Sequence, residues 1–184
     1  MTPKSEFSRL TAVRRIGVGG LSVTVEATPE ECLRIAERLN IPEVSMLRCK
    51  YQLQAGPRSE VTAHGALAAR FKQECVRTLE PFEDVLAGSF TVKFVPEEHF
   101  VETAEPDLEA VDEIPYEGDS VDLGEAAIEQ FALDLPLYPH APDAALPPGL
   151  VIEEEEVERR AQKEAQAERV NPFASLERLR RKDN

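Results

Sequence analysis

At 184 residues and 42% hydrophobic content, the chain has material for one ordinary core and a tail, while 14 prolines and 30% charge leave sizeable irregular stretches. No apolar run approaches the ~18 residues of a membrane-crossing helix. The first twenty residues carry Lys4, Arg9, Arg14 and Arg15 without the apolar segment of a secretory leader, so a cytoplasmic protein is expected. The net charge of −14 is unevenly placed. Residues 1–95 hold 13 Lys/Arg against 11 Asp/Glu, residues 96–158 hold 20 Asp/Glu and no Lys or Arg, and residues 159–184 hold 8 basic and 4 acidic residues. The middle block repels phosphate. It suits a strongly basic protein, basic surface of its own chain, or simple solvation. Cys32, Cys49 and Cys75 are odd in number, far apart and set in apolar patterns, which points to reduced, buried thiols.

In chain order, residues 1–19 are basic and loosely patterned and end in Gly17-Val18-Gly19-Gly20, a turn without the flanking residues of a phosphate loop. Leu21 to Ala27 alternates as a strand, with Leu21, Val23 and Val25 on one face. Thr28-Pro29-Glu30-Glu31 is a capping box with proline at the first helical position, and the helix runs to about Leu39. Val44 to Gln54 alternates, with Leu47, Cys49, Tyr51 and Leu53 inward and Arg48, Lys50 and Gln52 outward. A turn at 55–58 leads into a second alternating run, Val61 to Phe71, in which Gly65 marks a bulge or a close approach. Glu74 to Leu79 reads as further strand, Phe82 to Ala87 as a short connection, Gly88-Ser89 as a turn, and Phe90 to Val95 as the next strand. The expected fold class is α+β, a curved antiparallel sheet or partly closed barrel with packed helices.

Residues 96–112 read as an acidic loop, and Glu113 to Tyr116 as a short edge strand. Asp122 and Glu125 have N-cap and N3 spacing for a helix whose arc is Leu123, Ala127, Ile128, Phe131 and Leu135, stopped by Pro136. Four prolines between 139 and 148 make a stiff linker. Val151 to about Arg169 is helical by composition, and Asn171-Pro172 starts a short helix with Phe173, Leu176 and Leu179 on one side before a basic tip. Two parts follow: a core domain over 1–140, and a linker with a helical C-terminal arm over 141–184.

Three stretches together resemble the YceD family of bacterial proteins needed for large-subunit ribosomal RNA accumulation. Cys75-Val76-Arg77-Thr78 through Phe82 is similar to that family's Cys-x-Arg-Cys strand and turn. Val121 to Glu125 and Leu133 to His140 resemble its acidic helix ending in Leu-Pro with a later histidine. Asn171 to Arg180 resembles its terminal Asn-Pro-Phe-Ala helix and basic tail. The set covers about residue 70 to the terminus, in the family's order. Thr78 stands where many relatives have a second cysteine, so a paired-thiolate zinc site is not expected. The resemblance implies that ribosomal RNA levels depend on the protein.

No catalytic residues and no cofactor or metal are expected. His64, His99 and His140 sit in a strand, an acidic loop and a proline-rich linker, none beside a recognisable nucleophile, and the carboxylates of 97–125 lack calcium-loop spacing. Binding is the better class, and the partner is large-subunit ribosomal RNA or its precursor, a basic ribosomal protein, or both. Arg48, Lys50, Arg70, Lys72 and Lys93 would form a basic strip on a curved sheet or merely its solvated outer face. Arg77 faces a phosphate or an acidic neighbour such as Glu80. Asp122, Glu125 and His140 are further candidate binding residues, and Phe173, Leu176 and Leu179 are expected to dock on the domain or on a partner. The rival reading is an acidic interaction module with no RNA contact.

Overall fold

The computed structural model describes residues 5–100 and 111–144, with 158, 159, 161 and 163. The chain separates into two units, Met1–Pro142 and Asp143–Asn184. In the first, the elements are β1 (Leu10–Ala12), β2 (Leu21–Glu26), α1 (Pro29–Leu39), β3 (Glu43–Ala55), β4 (Val61–Glu74), β5 (Pro81–Pro96), β6 (Asp112–Tyr116), β7 (Ser120–Asp122) and α2 (Leu123–Asp134). In the second, the described positions Glu158, Arg159, Ala161 and Lys163 are helical and exposed. No helix among the described residues is long and apolar enough to cross a membrane.

The fold class is α+β. Five strands lie in the order β2-β3-β4-β5-β6, and β1 pairs with β7 in a separate two-stranded ribbon. The expected all-antiparallel or partly closed sheet is corrected here. β6 runs parallel to β5, from Val92↔Asp112 to Pro96↔Tyr116, and the sheet ends at β2 on one side and β6 on the other without closing. A parallel neighbour requires the chain to travel back before pairing, and the connection between Pro96 and Asp112 is long enough for that return. The acidic loop, where it spans 101–110, lies outside the described residues.

The second correction concerns the long hairpin. β4 stops at Glu74, and Cys75–Leu79 is a tight turn, closed by Leu79 N–H to Cys75 O at 2.7 Å and Cys75 N–H to Glu80 O at 2.9 Å. β5 then runs unbroken through Gly88 and Ser89, which pair with Leu67 and Ala66. A strand as long as β4 supplies ladder partners along its whole length, and that continuity overrides the turn preference of a Gly-Ser pair. Gly65 makes no bulge. The ring of Phe90 covers it so closely that a Cβ there would lie 2.4 Å from ring carbons.

Both helices cover the same face of the sheet. α1 forms where its sequence directs: the Thr28 hydroxyl accepts from Glu31 N–H, the Glu31 carboxylate accepts from Thr28 N–H, and Asn40 closes the far end in the left-handed region. It buries Cys32, Ile35 and Ala36. α2 buries Leu123, Gly124, Ala126, Ala127, Ile128 and Phe131, a wider surface than one arc. Phe131 meets Phe71 edge to face at 5.1 Å, and the buried Tyr51 hydroxyl donates to Leu123 O at 2.9 Å. Each contact ties a helix to a central strand, and the opposite face of the sheet carries no helix among the described residues.

The N-terminal segment is part of this core, although no periodicity announces it. Phe7 is fully buried, with the Arg9 guanidinium 4.5 Å above its ring. A Cβ on Gly124 would lie 2.2 Å from Phe7 O, so α2 accepts the segment only because that position is glycine.

Candidate functional site

The alternation of β2 to β5 places a set of polar and basic side chains on the uncovered face. Register aligns them in rows across the strands. Ser22, Gln52, His64 and Thr91 form one row; Thr24, Lys50, Ala66 and Ser89 the next; Glu26, Arg48, Ala68 and Ala87 a third; Arg70 and Val85 a fourth. Within the first row, Gln52 Nε2 donates to Ser22 Oγ at 3.1 Å, and His64 Nδ1 lies 3.0 Å from Thr91 Oγ1. Arg48, Lys50 and Arg70 are exposed, and their side chains form no ion pair or hydrogen bond among the described residues.

The rest of the expected basic strip is neutralised within the fold. Lys72 Nζ is 2.6 Å from Glu43 Oε2, and that carboxylate pushes the ammonium pKa up. Lys93 Nζ lies 3.1 Å from Glu60 and 3.2 Å from Glu113, the former acting most strongly to raise it. Glu26, cross-strand from Arg48, and Glu83, cross-strand from Lys72, mark the acidic edges of the face. Its positive charge is therefore concentrated on Arg48, Lys50 and Arg70.

Asp122 and Glu125 are occupied within the fold. Asp122 caps α2, accepting from Gly124 N–H at 3.0 Å and Glu125 N–H at 3.2 Å, and it also takes Arg9 N–H at 2.7 Å. Glu125 does not reach back to complete a capping box. It receives Arg38 Nη2 at 2.7 Å and the Ser5 hydroxyl, and Arg38 also meets Glu6 at 2.9 Å. These ion pairs hold α1, α2 and the N-terminal segment together. Glu129, next along α2, has its carboxyl pKa raised by burial and then by Glu125.

The Cys75 turn is a second organised place. Val76 N–H donates to Pro139 O at 2.9 Å, and Ala141 N–H donates to Cys75 Sγ at 3.3 Å. The chain after α2 is thereby fastened to the β4–β5 turn. The Thr78 hydroxyl first, with the amides of Ala141, Arg77 and Thr78 and against desolvation, brings the Cys75 thiol down to about 6. Cys75 is fully buried, and all three cysteines are free thiols. Arg77 is exposed on this turn, and His140 is exposed with Nδ1 3.3 Å from Tyr138 O. Among the described residues no group of three or more His, Cys, Asp or Glu side chains is arranged to hold a metal ion. Phe173, Leu176 and Leu179 lie outside the described residues.

The model of the family described as "Large ribosomal RNA subunit accumulation protein YceD" matches residues 63–180. The chain belongs to the YceD family. No curated protein and no solved structure matches it. The YceD match begins within β4, so Arg70, the Cys75 turn and α2 fall inside it, whereas Arg48 and Lys50 precede it. Two of the stretches that carry the YceD resemblance, Cys75–Phe82 and Val121–His140, touch each other through the Val76–Pro139 hydrogen bond.

Proposed function

We propose that this YceD-family chain is a cytoplasmic, non-enzymatic factor that supports accumulation of large-subunit ribosomal RNA by binding that RNA through the uncovered face of its sheet. One observation carries the reading: Arg48, Lys50 and Arg70 stand exposed on that face with no partner among the described residues, while Lys72 and Lys93 are spent on carboxylates. Phosphate neutralisation supplies most of the affinity of an RNA contact, and it needs cations free of internal partners. The acidic block of residues 96–158 repels phosphate, which limits the affinity that RNA can reach.

Replacing all three cations by glutamine in a strain that depends on the protein tests this. Large-subunit ribosomal RNA should fall toward the level of the deletion strain while the variant accumulates and melts normally. Full RNA levels with the triple variant would overturn the proposal. So would a purified protein that captures a basic large-subunit protein in moderate salt and no ribosomal RNA, which would move the function to its acidic surface.

A further inference from the structure

We propose that the uncovered face recognises RNA as an A-form duplex, through its backbone and 2′-hydroxyls, and not as a single strand. The inference rests on the RNA-binding reading above and adds the form of RNA that the face accepts. Single-strand binders stack bases on aromatic side chains, and each stacked base contributes about 1–3 kcal/mol. Among the described residues, no Phe, Tyr or Trp ring points out of this face. Strand alternation turns Tyr51, Phe71, Phe90 and Phe94 toward the helices, where Tyr51 and Phe90 meet edge to face at 5.8 Å.

What the face presents is graded in chemistry. Its floor in the middle rows is Ala66, Ala68, Ala87 and Ser89, too short to stand above the sheet. A shallow hollow of about 460 Å³ opens there, between Lys50, Gln52, His64 and Thr91; Phe90 also lines it, but its ring packs over Gly65 and against the buried Tyr51. On one side runs the row of hydroxyl, amide and imidazole groups, from Ser22 to Thr91, about 14 Å long at ~4.8 Å per strand. On the other stand Lys50, Arg48 and Arg70, in successive rows about 6.8 Å apart.

A duplex of RNA has a wide, shallow minor groove lined by 2′-hydroxyls and bordered by phosphates. Hydroxyl and amide groups can donate to and accept from a 2′-hydroxyl, and cations suit phosphates. A low floor of small side chains, with hydroxyl, amide and imidazole groups on one side and cations on the other, matches that surface. It gives no element that enters a deep groove and, among the described residues, no Phe, Tyr or Trp ring on which a base stacks; the one ring in the polar row is the His64 imidazole, whose Nδ1 is engaged with Thr91 Oγ1.

The test measures anisotropy of labelled RNA with the full chain, comparing a duplex of about 16 base pairs, one of its strands alone, and the DNA duplex of the same sequence. The duplex RNA should bind at least tenfold more tightly than either comparator. Q52A with H64A should shrink the RNA-over-DNA ratio at least threefold without changing the salt dependence, and R48Q with K50Q and R70Q should weaken every nucleic acid. Circular dichroism and melting would confirm that both variants fold. If the single strand binds as tightly as the duplex and the three cations still matter, the duplex inference falls and RNA binding by this face stands. If no RNA binds at all, the RNA-binding reading falls and takes the inference with it. If duplex RNA binds but neither variant alters it, RNA contacts another surface and both readings of this face are wrong.

Discussion

Gly124→Ala sets two well-understood effects against each other. Alanine is favoured over glycine inside a helix by roughly 0.8–1 kcal/mol, so propensity alone says the variant is more stable. The structure says the opposite. The added Cβ would lie 2.2 Å from Phe7 O, 2.9 Å from Phe7 C and 3.0 Å from Arg9 N, all backbone atoms that no side-chain rotation can clear. The segment from Ser5 to Arg9 must lift off α2, exposing Phe7 at roughly 1.5–3 kcal/mol and loosening the Arg9–Asp122 hydrogen bond at about 1 kcal/mol or slightly more. After subtracting the propensity gain, the net loss is about 2–3 kcal/mol. Urea unfolding followed by circular dichroism would read this as a midpoint lowered by about 1–1.5 M, for a slope of about 2 kcal/mol/M. A midpoint equal to or above that of the parent would refute the packing of Phe7 under α2.

Other consequences can be measured on the same purified protein. The Arg9 guanidinium, gripping Glu31 at 2.7 Å and outweighing its desolvation, holds that carboxyl down to about 2, from an ordinary value of 4.5. Because the folded value is the lower one, this stabilisation is complete above pH 4.5 and fades as pH falls toward 2. After allowance for solvent screening it amounts to about 1–2 kcal/mol. The parent should therefore lose that much more stability than Glu31→Gln between pH 5 and pH 2.5, and parallel pH curves would contradict the pairing. Tyr51→Phe removes the buried hydroxyl that donates to Leu123 O, and should lower stability by about 1–1.5 kcal/mol in thermal melts; an unchanged melting temperature would mean that bond is absent in solution. Leu79 is exposed with φ 59°, a left-handed backbone unfavourable to a branched side chain. Leu79→Gly should be neutral or more stable by up to ~1 kcal/mol, and Leu79→Val less stable by about as much. The reverse order would show that the Cys75–Leu79 turn has another form.

The sequence disclosed elements whose signals are local. Thr28, Pro29 and Glu31 announce the start of α1, Asp122 that of α2, and the alternation from Val44 to Gln54 separates Arg48 and Lys50 from the core. Features that depend on distant partners stayed hidden. Gly88-Ser89 looks like a turn until Leu67 and Ala66 pair with it, and the turn at Cys75–Leu79 contains neither glycine nor asparagine. Phe7 is a lone aromatic in a basic stretch, and only the glycine at 124 hints at what it packs against. The same holds for the candidate site. Outward orientation of the cations was readable, but Glu43, Glu60 and Glu113 claim Lys72 and Lys93 through tertiary contacts. The alignment of Ser22, Gln52, His64 and Thr91 is a property of strand register, which a single strand does not encode.

The central claim is that three exposed cations on the uncovered sheet face, without partners among the described residues, bind ribosomal RNA, and a salt titration of RNA affinity tests it most directly. Three phosphate contacts predict a slope of log K against log salt of about −2 to −3, depending on RNA form, and for a duplex a loss of about 40-fold between 50 and 200 mM. The R48Q/K50Q/R70Q variant should show a slope close to zero and weak binding throughout. An identical slope and affinity in parent and variant would contradict the account.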